Sequence, residues 1–253
     1  MGLRHLAEIA SRNVRYRRTL PEQFRKRRLY VSPGCGLSYW RRKLSAADEW
    51  LLGMARELVR PGNVVWDIGA NLGMFSFSAS VMAGPGGSVV AVEADTWLVD
   101  LLRRTESLAF SEAASVTILP VAASDQVGIV AFNIAKRARA ANHLSGTGSS
   151  QSGGIRERHT VVSITLDWLL ERTAAPDVVK IDVEGAEEMV LTGATRVLGK
   201  ARPRILCEVC EHNAVAVTRQ LEACGYEIYD AEVEQHKRVP IARAVWNTLA
   251  VPK

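Results

Sequence analysis

The sequence predicts an open α/β fold, a mostly parallel sheet with helices on both faces. Three observations carry this expectation. Short runs rich in Val and Ile recur along the chain, as strands buried on both faces require. Stretches with apolar residues at helical spacing alternate with them. The first strand and helix are joined by a glycine turn, in VVWDIGANLGMFSFSA at residues 64–79.

In that opening unit Val64, Val65 and Trp66 read as a buried strand and Asp67 stops the run. Gly69 and Gly73 permit a tight turn close to a ligand, and the helical pattern begins at Leu72. A phosphate-binding loop would need Lys and Ser/Thr after its last glycine, where this chain has Met74 and Phe75. A dinucleotide pyrophosphate would meet the carboxylate of Asp67 directly before the turn. A cationic ligand suits that acid, and S-adenosylmethionine carries a sulfonium and an α-ammonium group; a solvated turn is the plain alternative. Ser88 to Glu93 is a second apolar run ending in an acid, about 20 residues past the turn, where a ribose-binding acid stands in such units. Glu93 would accept bonds from both ribose hydroxyls.

The 253 residues, 47% hydrophobic and 23% charged, suit one large domain, 44–253, preceded by a basic extension, 1–43. No run approaches a membrane span and the N-terminus lacks the apolar core of a secretory signal, so a cytoplasmic address is expected. The extension holds twelve Lys/Arg against Glu8 and Glu22, a net +10, whereas the whole chain is only +5. Residues 1–30 therefore suit peripheral contact with an anionic membrane or an acidic partner, or serve only as a solvated arm. No aromatic-rich binding motif accompanies the charge, so specific nucleic-acid recognition is not expected.

Ser32 to Ser38 is a turn-rich connector. Ser45 stands as the N-cap of a helix over 46–58, with Glu49 in its first turn; Glu49 either caps or, like Tyr39, folds over the ligand from the edge. Thr96 to Ser107 reads as an amphipathic helix and Val116 to Leu119 as a third strand. Ser124 and Asp125 follow in the loop where a doubly wound sheet would bring adenine, and Asp125 either accepts from the exocyclic amine or caps a turn. Residues 139–158, rich in Gly and Ser, read as a flexible lid-like loop. His143 at its start is a candidate base or an incidental surface residue.

The second informative stretch is PDVVKIDVEGAEEMVLTGA, 176–194. Val178 to Ile181 is a strand, Asp182 ends it, and a helix follows Gly185. Ligands bind at the carboxyl edge of open sheets, so Asp182 and Glu184 would face the crevice of Asp67 and Glu93. Lys180, unusual in an apolar strand, is expected to pair with one of these carboxylates. Arg204 to Glu208 is a fifth strand ending in an acid, and four such acids would gather negative charge for a sulfonium or a divalent cation. Two last strands, within 221–229 and 245–251, are expected as an antiparallel hairpin. Cys207 and Cys210 form a lone C-x-x-C with no second pair, so the cysteines read as reduced thiols.

DIGANLG (67–73), VEAD (92–95), AASDQVG (122–128), TLDWLL (165–170), KIDVEGAE (180–187) and ILCEV (205–209) together resemble the FkbM family of S-adenosylmethionine-dependent methyltransferases, over roughly residues 45–230. The resemblance implies a Rossmann-like class I methyltransferase fold with a mostly parallel seven-stranded sheet. For most members it implies O-methylation of a hydroxyl on a sugar, glycan or natural product. Within that frame Asp67, Gly69, Asn71 and Gly73 would cradle the methionine end of the cofactor and Glu93 its ribose. Ser124 and Asp125 would lie near adenine, with Glu49 and Asp182 completing the site. Asp182 and Glu184 would orient the acceptor or hold a cation, with His143 or Glu208 as the base. The basic first 43 residues and the Gly/Ser-rich loop lie outside the family pattern, and an asparagine expected near Thr105 is missing, so the acceptor is not implied. Two rivals remain: an NAD-dependent dehydrogenase, which Asp67 argues against, and a non-catalytic protein of the same fold that docks a membrane or an acidic partner through its basic arm.

Overall fold

The computed structural model describes residues 10–11, 13–40, 44–108, 110–148 and 153–253. An antiparallel hairpin, β1 (Tyr16–Thr19) and β2 (Arg28–Val31), precedes two 3₁₀ turns (Pro33–Cys35 and Leu37–Trp40) and helix α1 (Ser45–Leu58). The alternating core then runs β3 (Val64–Ile68), α2 (Met74–Ala83), β4 (Ser88–Val92), α3 (Thr96–Glu106) and β5 (Ser115–Leu119). A second sheet interrupts it with β6 (Ala122–Ala123), β7 (Gly128–Ala135), β8 (His143–Leu144) and β9 (Ile155–Ile164), in the order β6-β9-β7-β8. The chain returns through α4 (Leu166–Leu170), β10 (Val178–Ile181), α5 (Glu187–Thr192), β11 (Arg204–Glu208), α6 (Ala214–Ala223), β12 (Tyr226–Asp230) and β13 (Asn247–Pro252).

Seven strands form the main sheet in the order β12-β13-β11-β10-β3-β4-β5. All pairs are parallel except those of β13, which is antiparallel to both β11 and β12. This is the expected Rossmann-like α/β architecture. The strand order reverses between β3 and β10, which pair Asp67 with Lys180 and Ile68 with Ile181. Connections leaving these two strands turn to opposite faces and open a crevice at the carboxyl edge. Side-chain alternation along the strands fills a core on each face. Val65 and Val89 pack with Leu52, Phe75 and Leu101 on one side; Trp66 and Val90 pack with Val190, Leu198 and Leu221 on the other.

The N-terminal region differs from a detached basic arm. Residues 1–9, 12 and 41–43 lie outside the described residues, but Leu20, Phe24, Leu29 and Val31 are buried in the first core. The guanidinium of Arg27, itself buried, lies 4.7 Å from the Phe77 ring centroid and donates to Ser80 and Glu106. Arg15 and Arg25 pair with Asp100 and Glu112. The hairpin thus covers α2, whose Ser76, Ser78 and Ser80 are buried along with its apolar residues. Several cations read as a partner-facing patch are spent docking the hairpin. Among the described residues, no helix is long and apolar enough to cross a membrane.

The 139–158 stretch also departs from a featureless lid. β8 pairs with β7 through Phe132–Leu144 and Asn133–His143, and β9 begins at Ile155; positions 149–152 lie outside the described residues. A two-residue strand has too few residues to leave a period in the sequence.

Candidate active site

A cleft opens where the strand order reverses, the place at which open α/β sheets bind their ligands. One wall is the turn after β3 (Gly69, Asn71) and the end of β4 (Glu93); the other is the second sheet and its turn (Phe132, Arg139, Leu144). Gly69 has φ +79°, and a Cβ there would stand 1.8 Å from the carbonyl oxygen of Asp182. The glycine therefore lets the ends of β3 and β10 close on each other. Gly73, also at φ +79°, would drive a Cβ to 2.6 Å from the Phe77 ring, so it serves the start of α2 and does not line the cleft.

The first wall is rich in hydrogen-bond acceptors. Glu93 is buried, and its two oxygens accept from the backbone N–H groups of Asn71 and Asp95, each at 2.8 Å. Each oxygen keeps a lone pair for a further donor. Burial pushes the Glu93 carboxyl up to about 7, although the two N–H bonds pull it down. Asn71 Oδ1 is buried with no hydrogen-bond donor among the described residues, and its residue lines the cleft. In the opposite wall the Arg139 guanidinium binds Asp95 and lies 4.5 Å from the Trp97 ring centroid. Asn142 donates to the same Asp95 oxygen at 2.8 Å, and Arg15 stands 4.7 Å from Trp97. Asp95, which also caps α3 by accepting from Trp97 N–H, thereby ties the turn of the second sheet to the rim of the cleft.

A second cavity lies beyond Asp182, the one residue in both walls. Asp48, Trp50, Lys180, Glu208 and Asn247 line it with Asp182. Helix α1 leaves helical geometry at Asp48 (φ −158°, ψ 56°), which brings Asp48 into the lining and leaves Glu49 exposed. The Lys180 ammonium is 3.1 Å from Asp182 and 3.4 Å from Asp67, and it donates to the Gly69 carbonyl at 3.3 Å. Burial works to lower its pKa, but the two carboxylates outweigh burial and raise it, so the ammonium stays charged. Glu208 is pushed up to about 9 by burial and by the neighbouring Asp182 and Glu184, against the pull of Lys180. Tyr39, buried, borders the same junction: burial, then Asp48, Cys35 and Asp182, raise its phenol well above the usual range.

Other expected site residues fall elsewhere. Asp67 is fully buried behind the turn, held by Ser76 Oγ and Lys180. As the penultimate residue of β3 it sits within the strand and does not follow it. Ser124 is buried and donates to Asp125, which is exposed, and neither lines the cleft. His143 is buried on β8, with Nδ1 3.0 Å from the Ala141 carbonyl and Nε2 3.3 Å from Asn133 Nδ2, so both ring nitrogens are occupied. Glu184 does line the cleft, from a left-handed backbone position at φ +50°. Its loop is held by Glu187, which accepts from Gly185 N–H and Asn213 Nδ2. Asp48, Trp50 and Arg139 were not foreseen. For Arg139 the one available clue was a cation beside the Gly/Ser-rich stretch.

The model of the methyltransferase FkbM domain matches residues 67–228, more than half of the chain. The chain belongs to the FkbM methyltransferase family. A curated relative, hexuronic acid methyltransferase AglP of Haloferax volcanii, is 29% identical over 163 residues, 63% of this chain and 61% of the relative. The chain therefore spans about three-fifths of that relative's length. Similar solved structures include precorrin-6y C5,15-methyltransferase from Geobacter metallireducens (18% identity, TM-score 0.46, 81% of this chain and 88% of that one). Another is methyltransferase FkbM from Methylobacillus flagellatus (15% identity, TM-score 0.43, 81% and 54%).

The FkbM match contains the first cleft's Gly69, Asn71, Glu93 and Asp182, but Asp48, Trp50 and Asn247 of the second cavity fall outside it. Among the described residues of this FkbM protein, the metal-capable grouping is Asp182, Glu184 and Glu208, with one oxygen from each within 4.8 Å of the others. The set fits a divalent cation poorly. The Lys180 ammonium already stands 3.1 Å from Asp182 and supplies the positive charge there.

Proposed function

We propose that the chain transfers a methyl group from S-adenosylmethionine to a hydroxyl oxygen of a sugar, glycan or natural-product acceptor. The single observation that carries this reading is that Asp182 joins an acceptor-lined cleft to a second polar cavity, so that two ligands can meet at one carboxylate. The cleft residues fit the cofactor's charge: Asn71 Oδ1 lacks a donor, as an α-ammonium would supply, and Glu93 retains lone pairs for two ribose hydroxyls. A pyrophosphate would find carboxylates there, which disfavours a dinucleotide. AglP, by its name a hexuronic acid methyltransferase, supports a carbohydrate acceptor as a class, without the charge of its own substrate.

When bound, S-adenosylmethionine supplies an electrophilic methyl on a sulfonium. The protein's own work is to align the acceptor oxygen, keep water out and remove one proton. Asp182 takes the hydroxyl proton as the oxygen gains the methyl group. Lys180 orients that carboxylate, and Glu208, protonated at neutral pH, donates to the acceptor. Calorimetric titration with S-adenosylmethionine, S-adenosylhomocysteine and NAD tests the cofactor. Micromolar binding of the first two, weakened at least about tenfold in Glu93→Ala and Asn71→Ala, is expected. Binding of NAD alone would sink the reading.

A further inference from the structure

The hydrogen-bonding capacity of the second cavity is lopsided. Lys180 gives two of its three N–H donors to Asp182 (3.1 Å) and the Gly69 carbonyl (3.3 Å), and its charge is also paired with Asp67 at 3.4 Å. Trp50 gives its indole N–H to the Ala231 carbonyl at 3.4 Å, and Asn247 gives an amide N–H to Glu232 at 2.8 Å. Against these donors stand the carboxyl groups of Asp48 and Asp182, from α1 and the end of β10, while the protonated Glu208 at the end of β11 and the second amide N–H of Asn247 leave only two donors open. Trp50 also contributes an aromatic side chain to the wall.

We infer that this cavity seats a neutral or amino-bearing polyol, bound through the ligand's own hydroxyl or ammonium donors, and that it turns away uronates and phosphorylated sugars. This rests on the reading of the neighbouring cleft as the methyl-donor site. A donor-rich ligand meets the acceptors of Asp48 and Asp182 on two sides, and a sugar ring can lie against Trp50. An anionic ligand meets Asp48 and Asp182, and the one cation among the described lining residues already has its three partners. Like charges brought together in a partly desolvated cavity repel strongly and select against the wrong ligand. Asp48 is the residue that sets this preference. It reaches the cavity through the break in α1, and it has no cation of its own at hydrogen-bond distance among the described residues.

The test uses the full chain loaded with S-adenosylhomocysteine and three matched probes: methyl glucoside, methyl glucosaminide and methyl glucuronoside. Dissociation constants are read by calorimetry or saturation-transfer NMR. The glucoside and glucosaminide are expected to bind at least about tenfold more tightly than the glucuronoside, and Asp48→Asn is expected to narrow that gap about threefold or more. An unchanged melting temperature checks that the variant folds. Equal or tighter binding of the glucuronoside overturns the inference. So does a gap that Asp48→Asn leaves untouched, or binding of none of the three probes by the loaded protein. Failure to bind S-adenosylhomocysteine is a separate result, which removes the methyl-donor reading and this inference with it.

Discussion

Glu208→Gln is expected to stabilise the protein, increasingly so as pH rises. In the folded chain the Glu208 carboxyl is pushed up to about 9 from an ordinary 4.5, by burial and by Asp182, Glu184 and Glu187, with Lys180 opposing them. A raised folded pKa means that the folded state holds its proton more tightly than the unfolded state. That contribution is fully present below pH 4.5 and is lost as pH rises to about 9. The loss runs at about 1.4 kcal/mol per pH unit, which makes it on the order of 4 kcal/mol by pH 7.5. Glutamine has no proton to lose, so the variant escapes this slope. Urea unfolding at pH 5, 6.5 and 8 reads the difference: near zero at pH 5, then growing by roughly 1.4 kcal/mol per unit. A difference that stays flat with pH would refute the reasoning. Turnover separates the two chemical roles for the same residue. Glutamine keeps an N–H donor, so kcat is expected within about tenfold of wild type if Glu208 donates, and far lower if it is the base.

Three further substitutions test the site's construction. Gly69→Ala would place a methyl 1.8 Å from the Asp182 carbonyl at φ +79°, and a loss of at least about 3 kcal/mol is expected in urea unfolding; wild-type stability would contradict that packing. Lys180→Met leaves the fully buried Asp67 without its cation, at a cost of about 3–5 kcal/mol. Part of that cost should return as pH falls and the orphaned carboxylate takes a proton, and equal losses at pH 5 and pH 8 would count against it. His143→Gln should cost about 1–2 kcal/mol through lost bonds to Ala141 and Asn133 while leaving the shape of the pH–rate profile intact. A profile that loses a limb would restore His143 as a base.

Much of the main sheet was legible because its signals are local. The β10 and β11 strands fall at the expected residues, 178–181 and 204–208, and Lys180 pairs as its charge in an apolar strand demanded. The hairpin of β1 and β2 was not legible. Its alternation lies within an arginine-rich run, and Arg27 looks solvated until Ser80, Glu106 and Phe77 come around it. The second sheet was hidden for a related reason: β7 carries exposed Ile129 and partly buried Ala131, and β8 is two residues long.

The candidate site divides along the same line. Gly69, Asn71, Glu93, Asp182 and Glu184 line the first cleft because each stands just past a strand end or in the turn that follows, and the linear order of strand, acid and glycine is written in the chain. Asp48 rather than Glu49, the burial of His143 and the outward turn of Asp125 depend on where a helix breaks, on which strand pairs with β7 and on what packs behind a loop. Sequence alone determined the doubly wound sheet, its acid-tipped strands and the likeness to FkbM methyltransferases, because periodicity and strand-end chemistry are short-range. Only the tertiary structure decided which carboxyls share Asp182's two cavities and which donors there are already taken, because burial and pairing are set by residues as far apart as Asp48, Lys180 and Asn247.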